Sequence, residues 1–145
     1  MSDRAYWLCL FNQTTWQEFQ ESGANVMGFP ETRQSTVRRI KQGDYLLAYM
    51  THLSRWFAVL EVDSDPYEDL TQIWKQALFP CRVKVKVLTH VAPDLGVPAL
   101  ALSKNLKMFD SFDNPNWGLL FRLAPKELHT DDGVLLTQAI QEIAA

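Results

Sequence analysis

The stretch TRQSTVRRIKQGDYLLAYM, Thr32 to Met50, holds the pattern that decides the fold. The segment Glu31 to Lys41 predicts a short helix with Val37 and Ile40 facing inward and the arginines facing outward. A glycine–aspartate turn then leads into the strand-like run YLLAYM. Basic residues crowd this helix although the net charge of the chain is −3. The segment therefore either binds an anion or forms the solvated face of a helix.

Three further runs have the character of strands. AYWLCLFN, Ala5 to Asn12, is apolar at nearly every position, which is typical of a strand covered on both faces. RWFAVLEV follows YLLAYM after the short segment THLS, which predicts a hairpin. CRVKVKVL, Cys81 to Leu88, alternates strictly, so we expect its Arg82, Lys84 and Lys86 on a solvated face.

Short helices are expected around these strands. Thr14 or Thr15 is placed to cap a helix after the first strand, and Thr71 to Leu78 predicts a helical turn. LLFRL, residues 119–123, reads as a last strand, and TDDGVLLTQAIQEIAA predicts an amphipathic helix over about 130–144. The inner face of that helix is expected to carry Val134, Leu135, Ala139, Ile140 and Ile143. About five strands without regular strand–helix–strand units favour a small curved sheet or barrel with peripheral helices.

Length and composition limit the class of protein. A chain of 145 residues and 16.7 kDa fits one domain, residues 1–145. Without a long apolar run or a leader-like start, we expect a cytoplasmic protein that does not enter a membrane. Cys9 and Cys81 lie in apolar runs and are expected to be buried thiols, and the scattered histidines give no metal motif. A pI near 5.5 argues against broad wrapping of nucleic acid, so any such contact must be local.

Aromatic residues make up 12% of the chain, and five are tryptophans. Trp7 and Trp56 lie in strand-like runs and are expected in the core. Trp74 and Trp117 stand beside turns, where an indole could instead line a pocket. No nucleophile elbow, phosphate-binding loop or zinc motif is present, so catalysis is the weaker hypothesis.

Six segments, in order, carry a resemblance to a known family: YWLCLFN, TTWQEF, GFPETRQSTVRRIKQGDYLLAYM, DPYEDLTQIW, FPCRVKVKV and NWGLLFRLAPKEL. Their pattern and spacing resemble those of EVE domains in the PUA-like superfamily, which are relatives of YTH domains. The resemblance extends to about Leu128. It implies an α+β fold, a PUA-like twisted, barrel-like sheet of about five or six strands with short peripheral helices.

The resemblance also implies a function. It predicts a non-enzymatic module, without a cofactor, that binds DNA or RNA carrying a modified base and flips that base into an aromatic pocket. A methylated or hydroxymethylated cytosine and a methylated adenine are the expected kinds of base. The alternative is a small-metabolite-binding or enzymatic domain that uses the same pocket. The sequence leaves the oligomeric state open.

Site residues are carried over by position. Asn12 is expected to read the base edge, Trp74 to form one wall, Leu78 or Phe79 the floor, and a VMGF loop the opposite wall. Relatives commonly have an aromatic residue beside the loop glycine, whereas this chain has Met27 before it and Phe29 after it. The implied pocket thus comprises Asn12, Met27, Gly28, Phe29, Trp74, Leu78 and Phe79. The predicted phosphate contacts are Arg33, Arg38, Arg39 and Arg55, joined by Lys84 and Lys86 if their faces converge.

Overall fold

A computed structural model describes residues 4–102 and 124–145 of the chain. The strands are β1 Tyr6–Phe11, β2 Val26–Phe29, β3 Tyr45–Met50, β4 Arg55–Val62, β5 Tyr67–Glu68, β6 Cys81–His90, β7 Val97–Pro98 and β8 Lys126–Leu128. The helices are α1 Gln13–Glu21, α2 Gln34–Val37, α3 Ala99–Leu102 and α4 Thr130–Ala144, with 3₁₀ turns over Glu31–Arg33 and Pro93–Leu95. The predicted strand 119–123 and Trp117 lie outside the described residues.

A curled, half-barrel mixed sheet forms the frame of the molecule, in the order β2-β6-β4-β3-β1-β8. β1 and β3 run parallel, and each of the other pairs is antiparallel. The short strands β5 and β7 pair with β6 and β4 outside this path. The predicted hairpin is β3–β4, and the predicted α+β class with a curved sheet and peripheral helices is confirmed.

Apolar layers cover the sheet on both faces, which explains the continuous apolar run in β1. Trp7, Cys9 and Phe11 join one core cluster, together with Phe19 of α1. Leu8 points to the other side, where α4 packs. Trp7 is 1% exposed and Trp56 is fully buried, as predicted for strand tryptophans.

Both cysteines are free and buried, as the sequence predicted. Burial raises the pKa of the Cys9 thiol and that of the Cys81 thiol above their ordinary value. The thiolate is the reactive form of cysteine, so both side chains are poor nucleophiles in the folded protein.

Two helix predictions need correction. The helix expected over Glu31–Lys41 is a 3₁₀ turn followed by the four-residue α2, although Val37 and Ile40 are buried as expected. Residues 71–78 form an irregular loop rather than a helical turn. The reason lies in the tertiary contacts, because the carbonyl of Thr71 accepts from the Arg82 guanidinium and the amide of Lys75 donates to a glutamate of α1.

The inner face of α4 is also different from the prediction. Val134 and Ile143 are 38% and 44% exposed, whereas Leu136 is fully buried. A Cβ atom added at Gly133 would lie 2.1 Å from the ring of Tyr6, so the helix approaches β1 at its glycine. That close approach rotates Leu136 inward and Val134 outward, which apolar periodicity alone does not reveal.

Candidate ligand pocket

A cavity of about 480 Å³ opens beside the end of β1. Leu10, Phe11 and Asn12 line it where β1 passes into α1, and Thr15 lines it from the first turn of α1. Its volume lies within the range of about 300–1,000 Å³ that is usual for small-molecule sites. The end of one strand and the start of one helix therefore form a first wall.

The opposite wall comes from β2, whose Met27, Gly28 and Phe29 all line the cavity. The sequence predicted a loop here, but Val26–Phe29 is a strand that pairs with β6. Met27 and Phe29 are 5% and 3% exposed and belong to the core, so only their edges reach the cavity. The strand pairing makes this wall part of the rigid sheet.

Gly28 allows the third wall to approach β2 closely. A Cβ atom at this position would lie 2.7 Å from the Phe79 carbonyl oxygen and 2.7 Å from Cζ3 of Trp74. Such distances are shorter than any ordinary contact, and the first of these atoms is backbone. Only glycine fits, because the loop packs directly on the strand backbone.

Trp74, Gln76 and Phe79 of the irregular loop supply that third wall. The Trp74 and Phe79 rings meet edge to face, 5.5 Å between centroids, and Trp74 is 2% exposed. Its indole Nε1 donates to the Thr15 carbonyl at 3.3 Å. Leu78, predicted as an alternative floor, does not line the cavity and is 38% exposed.

Arg82 of β6 stabilises the irregular loop that carries Trp74. It was predicted on the solvated face of β6 but is 1% exposed, and this prediction is wrong. Its guanidinium donates to the carbonyls of Thr71, Leu78 and Phe79 and lies 5.6 Å from the Trp74 ring centroid. A planar fork of five donors can satisfy several carbonyls at once, which a lysine could not. An arginine rather than a lysine at position 82 is the feature of the β6 sequence that agrees with this buried role.

The Asp69 carboxylate lies 3.7 Å from the Arg82 guanidinium at the start of the same loop. The pKa of Asp69 is held below its ordinary value, mainly by the Thr71 backbone N–H that donates to the carboxylate and less by the charge of Arg82. The carboxylate thus stays ionised beside a buried cation, which helps to fix the loop entrance.

Asn12 has two partners at the mouth of the cavity. Its Oδ1 accepts from the Thr15 backbone N–H at 2.8 Å, while Thr15 Oγ1 accepts from the Asn12 N–H at 2.9 Å. Asn12 rather than Thr14 or Thr15 is therefore the N-cap of α1, with Thr15 completing a capping box. Its Nδ2 donates to Oε1 of Gln76 at 2.9 Å.

Thr51, His52 and Gln76 line the cavity and were missed by the sequence reasoning. His52 has a φ of 69° and Phe79 a φ of 46°, in a region that side chains other than glycine seldom adopt. Such strain costs of order 1–3 kcal/mol per residue and tends to accumulate at functional sites. Neither residue carries a sequence signal for this conformation.

The arginines predicted to contact phosphate are spread over the surface. Arg33 donates to the Pro125 carbonyl at 3.0 Å, beside the cavity residue Ala124. Arg55 donates to the Gly96 carbonyl at 2.7 Å, shortly after the Thr51–His52 turn.

The other two predicted phosphate contacts, Arg38 and Arg39, have different neighbours from each other. Arg39 pairs with Glu127 at 2.6 Å and lies over the Trp7 ring. Trp7 stands at the start of β1, roughly 16 Å along the strand from Asn12. Arg38 is exposed beside Tyr67, whereas Lys86 pairs with Asp63 at 3.8 Å. The four arginines thus do not converge on one patch.

In residues 4–102 and 124–145, no group of three or more histidine, cysteine, aspartate or glutamate side chains is arranged to hold a metal ion. In the same ranges no helix is both long enough and apolar enough to cross a membrane.

Structures of similar fold include YTH domains. The Mmi1 YTH domain superposes with a TM-score of 0.70 at 14% identity, covering 98% of this chain and 92% of that chain. The YTH domain of Zygosaccharomyces rouxii MRB1, solved in complex with N6-methyladenosine RNA, has a TM-score of 0.64 at 16% identity, covering 97% and 87%. At these identities the similarity establishes the fold alone.

Sequence comparison identifies the family. A UPF0310 protein of Pyrococcus abyssi is 32% identical over 146 residues, covering 91% of this chain and 96% of the relative. A UPF0310 protein of Pyrococcus horikoshii is 30% identical over 95 residues, covering 56% and 64%. The family pattern described as EVE domain matches residues 5–127. The chain belongs to the EVE domain family.

Proposed function

We propose that this EVE domain binds nucleic acid by accepting a flipped, modified base into the cavity between β1, β2 and the loop 69–80. The observation that carries the proposal is the cavity itself, which combines a base-sized volume, aromatic and aliphatic walls, and two amides at its mouth. The similar fold of the MRB1 YTH domain, whose structure contains N6-methyladenosine RNA, supports the same kind of ligand.

The free-energy cost of flipping a base and the gain from stacking it in the cavity are of similar size. Flipping a base out of a duplex costs a few kcal/mol, and stacking on an aromatic side chain returns about 1–3 kcal/mol. A buried methyl group adds about 0.8 kcal/mol, or roughly a fourfold gain in affinity. The apolar edges of Met27 and Phe29 offer a surface against which such a methyl can be buried.

Backbone phosphates would be held by nearby cations. Arg33 and Arg55 follow segments that line the cavity, and each guanidinium is a planar fork of N–H donors that suits phosphate oxygens. Arg39, which lies over Trp7 near the other end of β1, would meet a longer strand, and Arg38 is a further exposed cation on the same segment. Each phosphate contact should add close to one unit to the salt dependence of binding.

Binding rather than catalysis is the function that the cavity favours. Among its lining residues in the described part of the chain, His52 is the one titratable side chain, so no acid–base pair is assembled there. A domain that binds or converts a small metabolite in the same cavity is the second candidate. It would need no phosphate contacts, so its affinity would not depend strongly on salt.

A binding screen tests the proposal. Short single- and double-stranded DNA and RNA would carry adenine, N6-methyladenine, cytosine, 5-methylcytosine or 5-hydroxymethylcytosine, and binding would be followed by fluorescence anisotropy at two salt concentrations. We expect at least one modified strand to bind about fourfold or more tightly than its unmodified counterpart, with an affinity that falls as salt rises. Equal affinity for all strands, or salt-independent binding of a free nucleobase alone, would contradict the proposal.

Trp74→Ala tests the pocket within that screen. Loss of the stacking wall should weaken binding of the modified strand by about 1–3 kcal/mol, or roughly 5- to 150-fold. Because Trp74 is buried, the variant is measured at a temperature where circular dichroism shows it folded. Trp7→Phe, at the other end of β1, is the control and should retain wild-type affinity. A folded Trp74→Ala protein with unchanged affinity would rule out this wall.

A further inference from the structure

The orientation of the Asn12 amide is fixed by the start of α1. An N–H group can donate only to the oxygen of an amide, and the Thr15 backbone N–H lies 2.8 Å from one end of the Asn12 side chain. That end must be Oδ1. The end that faces Gln76 is therefore the Nδ2 group, which can only donate.

The orientation of the Gln76 amide then follows. Because Asn12 Nδ2 donates at 2.9 Å, Oε1 of Gln76 is the atom that accepts. The Nε2 group of Gln76, with two N–H donors, is left at the opposite end of the amide. No residue in the described part of the chain accepts from it, and Gln76 is an exposed residue that lines the cavity.

Neighbouring contacts hold this donor group in position. Three consecutive loop residues bind the N-terminal part of α1: Trp74 Nε1 to the Thr15 carbonyl, the Lys75 amide to Glu18 Oε2 at 3.2 Å, and Gln76 to Asn12. The loop and the helix therefore form one continuous wall at this point. A donor on such a wall is pre-organised for a ligand, which lowers the entropic cost of binding.

We infer that Gln76 is a specificity-determining residue of this cavity, and that its Nε2 donates a hydrogen bond to an acceptor on the edge of the bound base. The inference rests on the proposed function and narrows it. The preferred ligand presents a ring nitrogen or a carbonyl oxygen toward the Asn12–Gln76 pair. Asn12 acts as the positioning residue, since its cap decides which end of Gln76 faces the ligand.

Deletion of single acceptors from the ligand tests the inference. The probes are oligonucleotides carrying N6-methyladenine or 5-methylcytosine, together with analogues in which one ring nitrogen is replaced by C–H or one carbonyl is removed. Wild-type protein should lose roughly 2- to 12-fold in affinity when the recognised acceptor is removed, as expected for one hydrogen bond. In Gln76→Met, the same removal should cost nearly nothing.

Two further variants complete the design. Gln17→Met removes an exposed amide of α1 outside the cavity and should retain the wild-type penalty. Gln76→Glu keeps an acceptor for Asn12 but has no N–H donor, so it should resemble Gln76→Met in showing no penalty. Each penalty is the ratio of two affinities, for the intact ligand and for its acceptor-deleted analogue, measured with the same protein. A general loss of stability or a change of net charge alters both affinities alike and so does not change the penalty.

The outcomes separate the inference from the function on which it rests. If every acceptor deletion costs the same in wild type and in Gln76→Met, the role of Gln76 is overturned while the proposed function stands. If wild-type protein binds none of the oligonucleotides, the proposed function is itself wrong and the inference falls with it. Loss of the penalty in both Gln76 variants alone supports the inference.

Discussion

Trp7 and Trp74 stand near opposite ends of β1 and have similar surroundings, but Trp74 alone of the two lines the cavity proposed to accept a base. Each indole N–H donates to an acceptor inside the protein: Trp7 to Asp44 Oδ2 at 3.0 Å, and Trp74 to the Thr15 carbonyl at 3.3 Å. Each ring also has an arginine near its face, Arg39 at 5.5 Å and Arg82 at 5.6 Å.

The surroundings differ in which partner is buried. Near Trp7 the carboxylate of Asp44 is 3% exposed and also accepts from the backbone amides of Ala5 and Lys41, while the arginine lies outside. Near Trp74 the arginine is buried and its acceptors are loop carbonyls. The first arrangement ties strand β1 to the turn before β3. The second builds a wall out of a loop that has no regular structure.

The polar groups at the two ends also differ in what they leave for a ligand. A cleft of about 460 Å³ lies beside Trp7, but its Arg39 and Glu127 form an ion pair and its Asp44 is fully engaged. Beside Trp74, the two N–H donors of the Gln76 amide have no acceptor among residues 4–102 and 124–145, and the walls are mainly apolar. A similar tryptophan environment thus serves stability at one end and can serve recognition at the other.

Arg82→Met should have the largest effect and would test whether the Trp74 wall depends on the buried cation. Three carbonyls would lose a charged donor, so we expect the free energy of unfolding to fall by about 3–5 kcal/mol, measured by urea denaturation. Binding of the modified strand should weaken as well. Lys84→Met, on the same strand but exposed, should change stability by less than about 0.5 kcal/mol. A small effect of Arg82→Met would mean that the loop keeps its structure without the hydrogen bonds from Arg82.

Asp44→Ala tests the surroundings of Trp7, at the other end of β1. Three buried or half-buried donors would lose their acceptor, and unfolding should become easier by about 2–4 kcal/mol in the same denaturation experiment. Affinity for the modified strand should stay within about twofold of wild type, because the Trp74 wall does not contact Asp44. A large loss of affinity in the folded variant would show that the two ends are coupled through β1.

Arg39→Gln should have the smallest effect on stability. The Arg39 and Glu127 side chains are 62% and 45% exposed, and exposed ion pairs contribute less than about 1 kcal/mol. The informative measurement is the salt dependence of binding, whose slope should fall by about one unit if Arg39 contacts a phosphate. Arg38→Gln serves as the comparison on the same segment. An unchanged slope in both variants would remove these residues from the interface.

The sequence by itself determined the four longest strands of the sheet and the family. Strands β1, β3, β4 and β6 were predicted from apolar runs and strict alternation, since a strand needs only its own side chains to show which faces are buried. The order of motifs identified the EVE domain and predicted six of the fourteen described residues that line the cavity: Asn12, Met27, Gly28, Phe29, Trp74 and Phe79.

Only the tertiary structure decided how the wall of the cavity is made. Arg82 alternates with valines like a solvated residue, and its burial follows from loop carbonyls that come from residues 71–79. Gln76 and His52 have no periodic signal, because irregular loops are positioned by partners distant in the chain. Local patterns report which side of a strand is apolar. They do not report which polar groups of a distant loop pack against that strand in the folded protein.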